Sequence, residues 1–357
     1  MDTETLARYN KSRSTVDKAV QSLCYAPHTN LFFSQTGDVR ACCWNQKYPL
    51  GNVLHDSIDD MWRGARVQIL RQALEGMAFG PGCDFCDRQT AGGWIASPPM
   101  RTFERFAVPA PAPEWPQRLE FSISNACNLE CIMCNGIFSS AIRARREKLP
   151  PLRTVYSRAF IGSLRKYLPH LERAKFLGGE PFLVPEHYQI WDMMIADGLN
   201  THCHVTTNGT LYNAKIEQVM SALRMSFAVS LDGATKETVE RIRVNANYDE
   251  QLRILKRLRE YTRERGTDLS LTFCFMRQNW HEFGDFCLFG DEWGCNVFVN
   301  TVVKPGFTLY DLPAEELRKI LSVMEAQGGR LETQLKRNRQ VWLAELDRVR
   351  RYCERAK

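Results

Sequence analysis

Cys127-Asn128-Leu129-Glu130-Cys131-Ile132-Met133-Cys134 follows directly on the apolar run Leu119-Glu120-Phe121-Ser122-Ile123-Ser124. The run reads as a strand, and the loop after it carries cysteines in C-x3-C-x2-C spacing. Soft thiolates select iron–sulfur clusters over hard cations. Three thiolates on one tight loop suit one face of a [4Fe–4S] cube and leave its fourth iron open to another ligand. The triplet by itself is also compatible with a zinc knuckle or with core cysteines.

Working outward from this loop, strand-like runs recur at 118–124, 175–178, 202–207, 226–231, 268–276 and 296–303. Amphipathic segments at about 155–168, 186–197, 213–222, 236–264 and 280–289 fall between them. Short apolar strands alternating with helices predict an α/β fold with a parallel sheet. The strand ends carry the chemistry-bearing residues. Gly178-Gly179-Glu180-Pro181 follows the second strand, and glycines there let backbone approach a ligand closely. Thr206-Thr207-Asn208-Gly209 ends the third strand, and Ser230-Leu231-Asp232-Gly233 ends the fourth, ahead of Arg241-Ile242-Arg243.

The C-x3-C-x2-C loop and these strand-end motifs resemble the radical S-adenosylmethionine (SAM) enzymes. The resemblance implies a partial (β/α)6 TIM-type barrel over residues 118–305, with its site at the strand C-termini. It implies that Cys127, Cys131 and Cys134 hold a SAM-binding [4Fe–4S] cluster. It implies that Gly178, Gly179, Glu180 and Pro181 form the GGEP run at the SAM amino group. It further implies that Asn208 belongs to the family's TNG segment, that Ser230 reaches the ribose or carboxylate, and that Arg243 pairs with the carboxylate. A planar guanidinium suits that last task.

Upstream, Leu31-Phe32-Phe33, a turn at Thr36-Gly37-Asp38, and Val39 to Cys42 read as a β-hairpin. A helix is expected at 57–75, after Leu50-Gly51-Asn52-Val53, and Cys83-Asp84-Phe85-Cys86 comes later. Four cysteines from a hairpin and a C-x2-C loop are compatible with structural zinc. The pattern resembles the Twitch module, the half-size SPASM domain that holds an auxiliary [4Fe–4S] cluster. That resemblance implies Cys24, Cys42, Cys83 and Cys86 as ligands, with Cys43 the alternative to Cys42. Here the module precedes the barrel, whereas in relatives it commonly follows. The expected organisation is an auxiliary-cluster domain at 1–90, a Pro-rich linker at 91–117, the barrel at 118–305 and C-terminal helices at 306–357. The linker shows Gly92-Gly93, Pro98-Pro99 and Pro109-Ala110-Pro111-Ala112-Pro113-Glu114-Trp115-Pro116.

The chain has 357 residues, 44% hydrophobic and 25% charged, as in ordinary globular proteins. It contains no run of eighteen apolar residues and no secretory signal, which predicts a cytoplasmic protein without a membrane partner. Thirteen cysteines in a reducing compartment predict metal or redox chemistry rather than disulfides. Of the net charge of +6, residues 330–357 contribute nine Lys/Arg against four Asp/Glu. Leu335, Trp342, Leu346, Val349 and Cys353 give that segment an apolar helical face, for docking on the barrel or for a partner.

The family's chemistry implies reductive SAM cleavage and hydrogen abstraction from a small natural product or a peptide. A flavodoxin- or ferredoxin-type donor would supply the electron. An auxiliary cluster favours a two-electron oxidation: dehydrogenation, or C–X or C–C bond formation. Epimerisation is the alternative, with Cys274 on the fifth barrel strand as hydrogen donor. With 23 residues ahead of Cys24, no leader-binding winged helix is expected. No cobalamin-type domain is expected. From another class, a metal-cluster protein binding nucleic acid through its basic C-terminal helix would show steep salt dependence. His187, Tyr188, Asn300 and Lys304 fall near strand ends as acid/base candidates, whereas Cys203, Cys287, Cys295 and Cys353 read as packing residues.

Overall fold

A computed structural model describes residues 3–13, 21–92, 99–106, 108 and 113–355. Gly93, Pro98 and Pro109-Ala110-Pro111-Ala112 of the expected linker lie outside the described residues. The strands are β1 (Asn30–Phe33), β2 (Asp38–Arg40), β3 (Gly51–Asn52), β4 (Arg118–Phe121), β5 (Arg173–Phe176), β6 (His202–Thr207), β7 (Met225–Ser230), β8 (Leu269–Phe275) and β9 (Asn296–Thr301). Helical segments separate β4 to β9, so the class is α/β with an open parallel sheet, in the order of a partial TIM-type barrel. The second expected strand starts two residues early. It pairs from Arg173, opposite Arg118, and ends before Gly178, whose φ of +110° leaves the extended region.

The chain forms two compact units. The first comprises Met1–Asn125, Leu152–Gly179 and Leu183–Cys203. Its strands run in the order β3-β2-β1-β4-β5. β1 and β2 make the expected antiparallel hairpin, turning at Gly37 with φ +87°. β1 then pairs in parallel with β4, and β4 with β5. That register lines up Leu31, Leu119 and Ala174, then Phe33, Phe121 and Phe176. All six are buried. Phe33 stacks on Phe121 at 5.6 Å, and Phe176 meets Trp191 at 4.9 Å. Each such ring contributes roughly 2 kcal/mol by leaving water. The expected helix at 57–75 is two helices, Ile58–Arg63 and Ala65–Glu75. A capping box of Ser57 and Asp60 starts the first. Gly64 turns extended at ψ 176°, where a Cβ would lie 2.3 Å from the Asp60 carbonyl oxygen.

The second unit comprises Ala126–Pro151, Glu180–Phe182 and His204–Lys357. β7, β8 and β9 pair in parallel, with Val229 beside Leu271 and Leu271 beside Val297. The amphipathic stretch expected at 236–264 is two helices, Lys236–Ile242 and Tyr248–Arg265. Asn245 takes φ +76° between them, and the Asn247 side chain caps the second by accepting from Glu250 N. The C-terminal helix Arg339–Arg355 buries Trp342, Leu346, Val349 and Cys353, the face its spacing marks as apolar. Among the described residues no helix is long and apolar enough to cross a membrane.

Candidate active site and auxiliary metal centre

The three-cysteine loop in the second unit is held by backbone and by one lysine. Glu130 N donates to Val244 O and Ile132 N to Ile242 O, each at 3.0 Å. Lys304 Nζ donates to Cys134 O at 3.0 Å and to Ile132 O at 3.3 Å. Cys127 N donates to Ser140 Oγ at 3.1 Å. Ser139 donates to Leu129 O at 2.7 Å and caps the helix Ser140–Arg145. Lys304, an acid/base candidate in the sequence, thus positions the loop. Cys131 is buried and Cys127 and Cys134 are half-buried. Burial pushes all three thiols up, Cys131 to about 12. The Arg243 guanidinium, 3.9 Å from Cys131 Sγ, works in the opposite direction.

Arg243 itself is buried at the C-cap of Lys236–Ile242, where Nη2 lies 2.6 Å from Asp232 Oδ2. Burial acts to lower its pKa, but the Asp232 charge and then the Cys131 and Cys274 thiols hold it above the usual value. Asp232 is fully buried at φ +68°. A non-glycine in that region costs on the order of 1 kcal/mol and is found where function demands it. Its Oδ1 accepts from Cys274 N at 2.6 Å, and its carbonyl accepts from Asn279 Nδ2 at 2.9 Å. Sequence reasoning chose Arg243 and passed over Asp232. The signal was an acid directly before a glycine at a strand end.

Glu180 is fully buried. It accepts from Thr207 Oγ1 at 2.8 Å, Asn208 N at 2.7 Å and Phe182 N at 3.3 Å. Desolvation nonetheless raises it to about 7, against the lowering effect of those donors. Asn208 joins a second polar chain, donating from Nδ2 to Asn128 Oδ1 at 2.9 Å and accepting from Thr210 Oγ1 at 2.7 Å. Asn128 lies inside the cysteine loop, so the TNG segment and that loop are hydrogen-bonded to each other. Pro181 opens a single 3-10 turn. Ser230 ends β7, half-buried, in register with Thr272.

Cys274 on β8 is half-buried and packs with Ile132 and Met133 of the loop around Ile242 and Met276. Burial, and then the Asp232 carboxylate, raise its thiol well above 9.0. Asn300 is its register partner on β9 and is exposed. In the first unit, Gly178 and Gly179 close on Ser124: Gly179 N donates to Ser124 O at 3.0 Å, and a Cβ on Gly178 would stand 2.8 Å from that oxygen. His187 and Tyr188 are buried there in an aromatic cluster with Phe176 and Trp191. Cys203, Cys287, Cys295 and Cys353 are buried.

Also in the first unit, Cys24, Cys42, Cys83 and Cys86 line one cavity. It encloses about 450 Å³ of empty space, part of it open to solvent. Its other walls are nearly all apolar, including Leu70, Leu74, Phe79, Phe85 and Met100, with Trp44 stacked on Phe85 at 3.9 Å. Ala26 N donates to Cys24 Sγ at 3.4 Å and Asn45 Nδ2 to Cys83 Sγ at 3.7 Å. Burial raises Cys24 and Cys42 well above 9.0, Cys83 to about 11 and Cys86 to about 12. Cys43 is not among the lining residues. Burial raises it to about 11, and its charged neighbours are Glu120, Lys175 and Arg118.

These thiols surround a space rather than meet at a point. Among the described residues no group of three or more His, Cys, Asp or Glu side chains is placed to hold a single metal ion. A cube takes one thiolate at each corner, so its ligands ring a volume. Thiols this strongly held in the protonated state become thiolates when a metal supplies the compensating charge. The donor set fits a four-iron cluster.

Residues 121–290 match the model of the radical SAM superfamily, and residues 24–87 match that of SPASM, an iron–sulfur cluster-binding domain. The chain is a radical SAM protein that carries a SPASM-type domain, and the cofactors of these domains are SAM and [4Fe–4S] clusters. It is 25% identical over 222 residues to the mycofactocin maturase MftC of Mycolicibacterium smegmatis, covering 60% of this chain and 53% of that protein. It is 30% identical over 132 residues to an AdoMet-dependent heme synthase of Methanosarcina barkeri, covering 36% of this chain and 34% of that one. The chain thus spans about half the length of the maturase and a third of the synthase. Among solved structures, it is similar to Streptococcus suis SuiB bound to S-adenosylmethionine at a TM-score of 0.43 and 15% identity, covering 60% of this chain and 48% of SuiB. It is similar to anSMEcpe with bound AdoMet at a TM-score of 0.43 and 15% identity, covering 61% and 63%.

Proposed function

We propose that the three-cysteine loop holds the SAM-binding cluster, that the four-cysteine cavity holds a saturated auxiliary cluster, and that the pair carries out a two-electron oxidation. The observation behind this is the difference in thiol number: three at one site, one short of a cube's corners, and four around the other. Held by Cys127, Cys131 and Cys134, the first cluster would supply with SAM one-electron reductive radical chemistry, and the second, held by Cys24, Cys42, Cys83 and Cys86, would supply a place for the substrate's surplus electron. Glu180 takes the SAM amino group, for which a buried carboxylate is the natural counter-ion. Arg243, already paired with Asp232, turns one edge of its guanidinium to Cys131 and offsets thiolate charge there. Lys304 keeps the loop closed from its carbonyl side. Asn128, Asn208 and Thr210 lock the loop to the end of β6. The substrate is a natural product or a peptide, a reading supported by the maturase relative. The electron comes from a flavodoxin- or ferredoxin-type donor.

Cys274 favours a second reading, epimerisation. Its side chain packs in one cluster with Ile132 and Met133 of the three-cysteine loop, and burial raises its thiol, which keeps the S–H intact at neutral pH. A substrate carbon radical would take that hydrogen atom, and an electron and a proton from the donor system would restore the thiol.

Anaerobic reconstitution tests the cluster assignment. About eight irons per chain are expected from two cubes; four, or bound zinc, would reject it. Incubation with SAM and dithionite should release 5′-deoxyadenosine. If fully loaded protein leaves SAM intact, the enzymatic reading fails. Deuterium uptake from solvent into a substrate carbon, lost in Cys274→Ala, would select epimerisation over oxidation.

A further inference from the structure

In the first unit, the strands that bury an apolar face carry charge on the other. Parallel register places Arg118 beside Arg173 and sets Phe32, Glu120 and Lys175 in one row, which β2 extends with Arg40 beside Phe32. Side chains alternate along a strand, so these residues share the face opposite Leu119 and Phe121. Four cations, Arg118, Arg173, Lys175 and Arg40, stand there against two carboxylates, Glu120 in their midst and Asp38 two residues before Arg40 on β2. Glu120 lies 3.2 Å from Arg118 Nη2 and 3.8 Å from Lys175 Nζ, the latter too far for a hydrogen bond. The acid paired with Arg40 is Asp38, at 3.9 Å. Like charges directly across a strand pair are destabilising unless something compensates them.

Two further observations point to a ligand. Arg118 is 5% exposed, yet its Nε has no hydrogen-bond partner, and the buried Nε of Arg40 is also unmet. Buried donors are ordinarily satisfied, so an acceptor is expected here. Lys175 keeps a quarter of its side chain open, which leaves a way in.

We propose that this face is a carboxylate-binding subsite for the substrate, with Arg118 and Lys175 as donors and Arg40 at its margin. The guanidinium fork matches a carboxylate, and Glu120 beside it would repel the second charge of a phosphate. The same three groups, Glu120, Lys175 and Arg118, act electrostatically on the Cys43 thiol, next in the chain to Cys42 of the cavity. An anchored carboxylate therefore sits near the auxiliary centre. Naming the ligand as substrate rests on the radical SAM reading; the anion site itself does not.

The test is calorimetric titration of the full chain, both clusters loaded, with succinate at low ionic strength, alongside inorganic phosphate and neutral succinamide. Saturable succinate binding is expected, with succinamide inert and phosphate weaker. Lys175→Met should bind succinate at least about tenfold more weakly, with Lys175→Arg restoring most of it and Arg40→Met giving a smaller loss. Equal succinate binding by the wild type and Lys175→Met overturns the proposal, as does tighter binding of phosphate. If these cations serve only to offset the auxiliary cluster's charge, Lys175→Met will move that cluster's midpoint potential and leave succinate binding unchanged, which also overturns it. No SAM or reductant enters the titration. A chain that binds succinate but leaves SAM intact would sink the enzymatic reading and keep the subsite.

Discussion

The two cysteine sets differ most in what surrounds them. Around Cys127, Cys131 and Cys134 stand a buried carboxylate, a buried Arg–Asp pair and a lysine. Around Cys24, Cys42, Cys83 and Cys86 stand leucine, phenylalanine, tryptophan and methionine. A zwitterionic cofactor needs charged partners, and a group that only exchanges electrons needs none. Ionic groups in low dielectric act strongly on whatever binds beside them. Apolar walls exclude water and leave thiolate count and hydrogen bonds to set the potential. On the proposed function, the contrast is the one expected between a reacting site and an electron-storing one.

The largest expected effect breaks the comparison outright. Cys127→Ala should abolish 5′-deoxyadenosine release, whereas Cys83→Ala should keep cleavage and lose about half of the bound iron. Equal loss of cleavage in both variants would erase the distinction. Next, Cys42→Ala should lose about four irons and Cys43→Ala almost none, as read by iron analysis and EPR. The reverse result would move the ligand to the ionic side of the chain. Arg243→Met strands the buried Asp232 charge and should cost about 3–5 kcal/mol in denaturant unfolding. Asp232→Asn in the same background should recover much of that; no recovery would mean that the pair is not the reason.

The smallest effect concerns pH. Glu180 rises from its ordinary 4.5 to about 7 on folding. A raised acid binds its proton more tightly folded than unfolded, so it adds stability below pH 4.5 that fades as pH climbs toward 7. The difference is about 3 kcal/mol, and Glu180→Gln should flatten the pH dependence of Tm across that window. If Glu180 holds the SAM amino group, SAM affinity should climb through the same window as the carboxylate ionises. A flat profile would remove Glu180 from that role.

Much of the α/β class was legible because its signals are local. Alternating apolar runs marked β4 to β9, and the cysteines that line the cavity stand in short, regular frames. What escaped was non-local. Nothing around Phe32 announces that its register partner is Glu120, because parallel pairing over such a separation leaves no pattern in either segment. Asp232 was missed for the same reason: its value lies in Arg243, on the next helix, and in a backbone angle that glycine usually takes. His187 looked chemical by type and position, yet Phe176 and Trp191 enclose it. The break at Gly64 was hidden by apolar spacing that continues on both sides.

The parallel pairing of β1 with β4 has a practical corollary. A truncated protein starting near residue 99 would strip β4 of that neighbour and bare a row of backbone amides and carbonyls. Bare margins of that sort recruit other chains. Such a fragment should clump on expression, so whoever wishes to study the SAM half alone would do better to silence the other cluster by mutation than to cut it away.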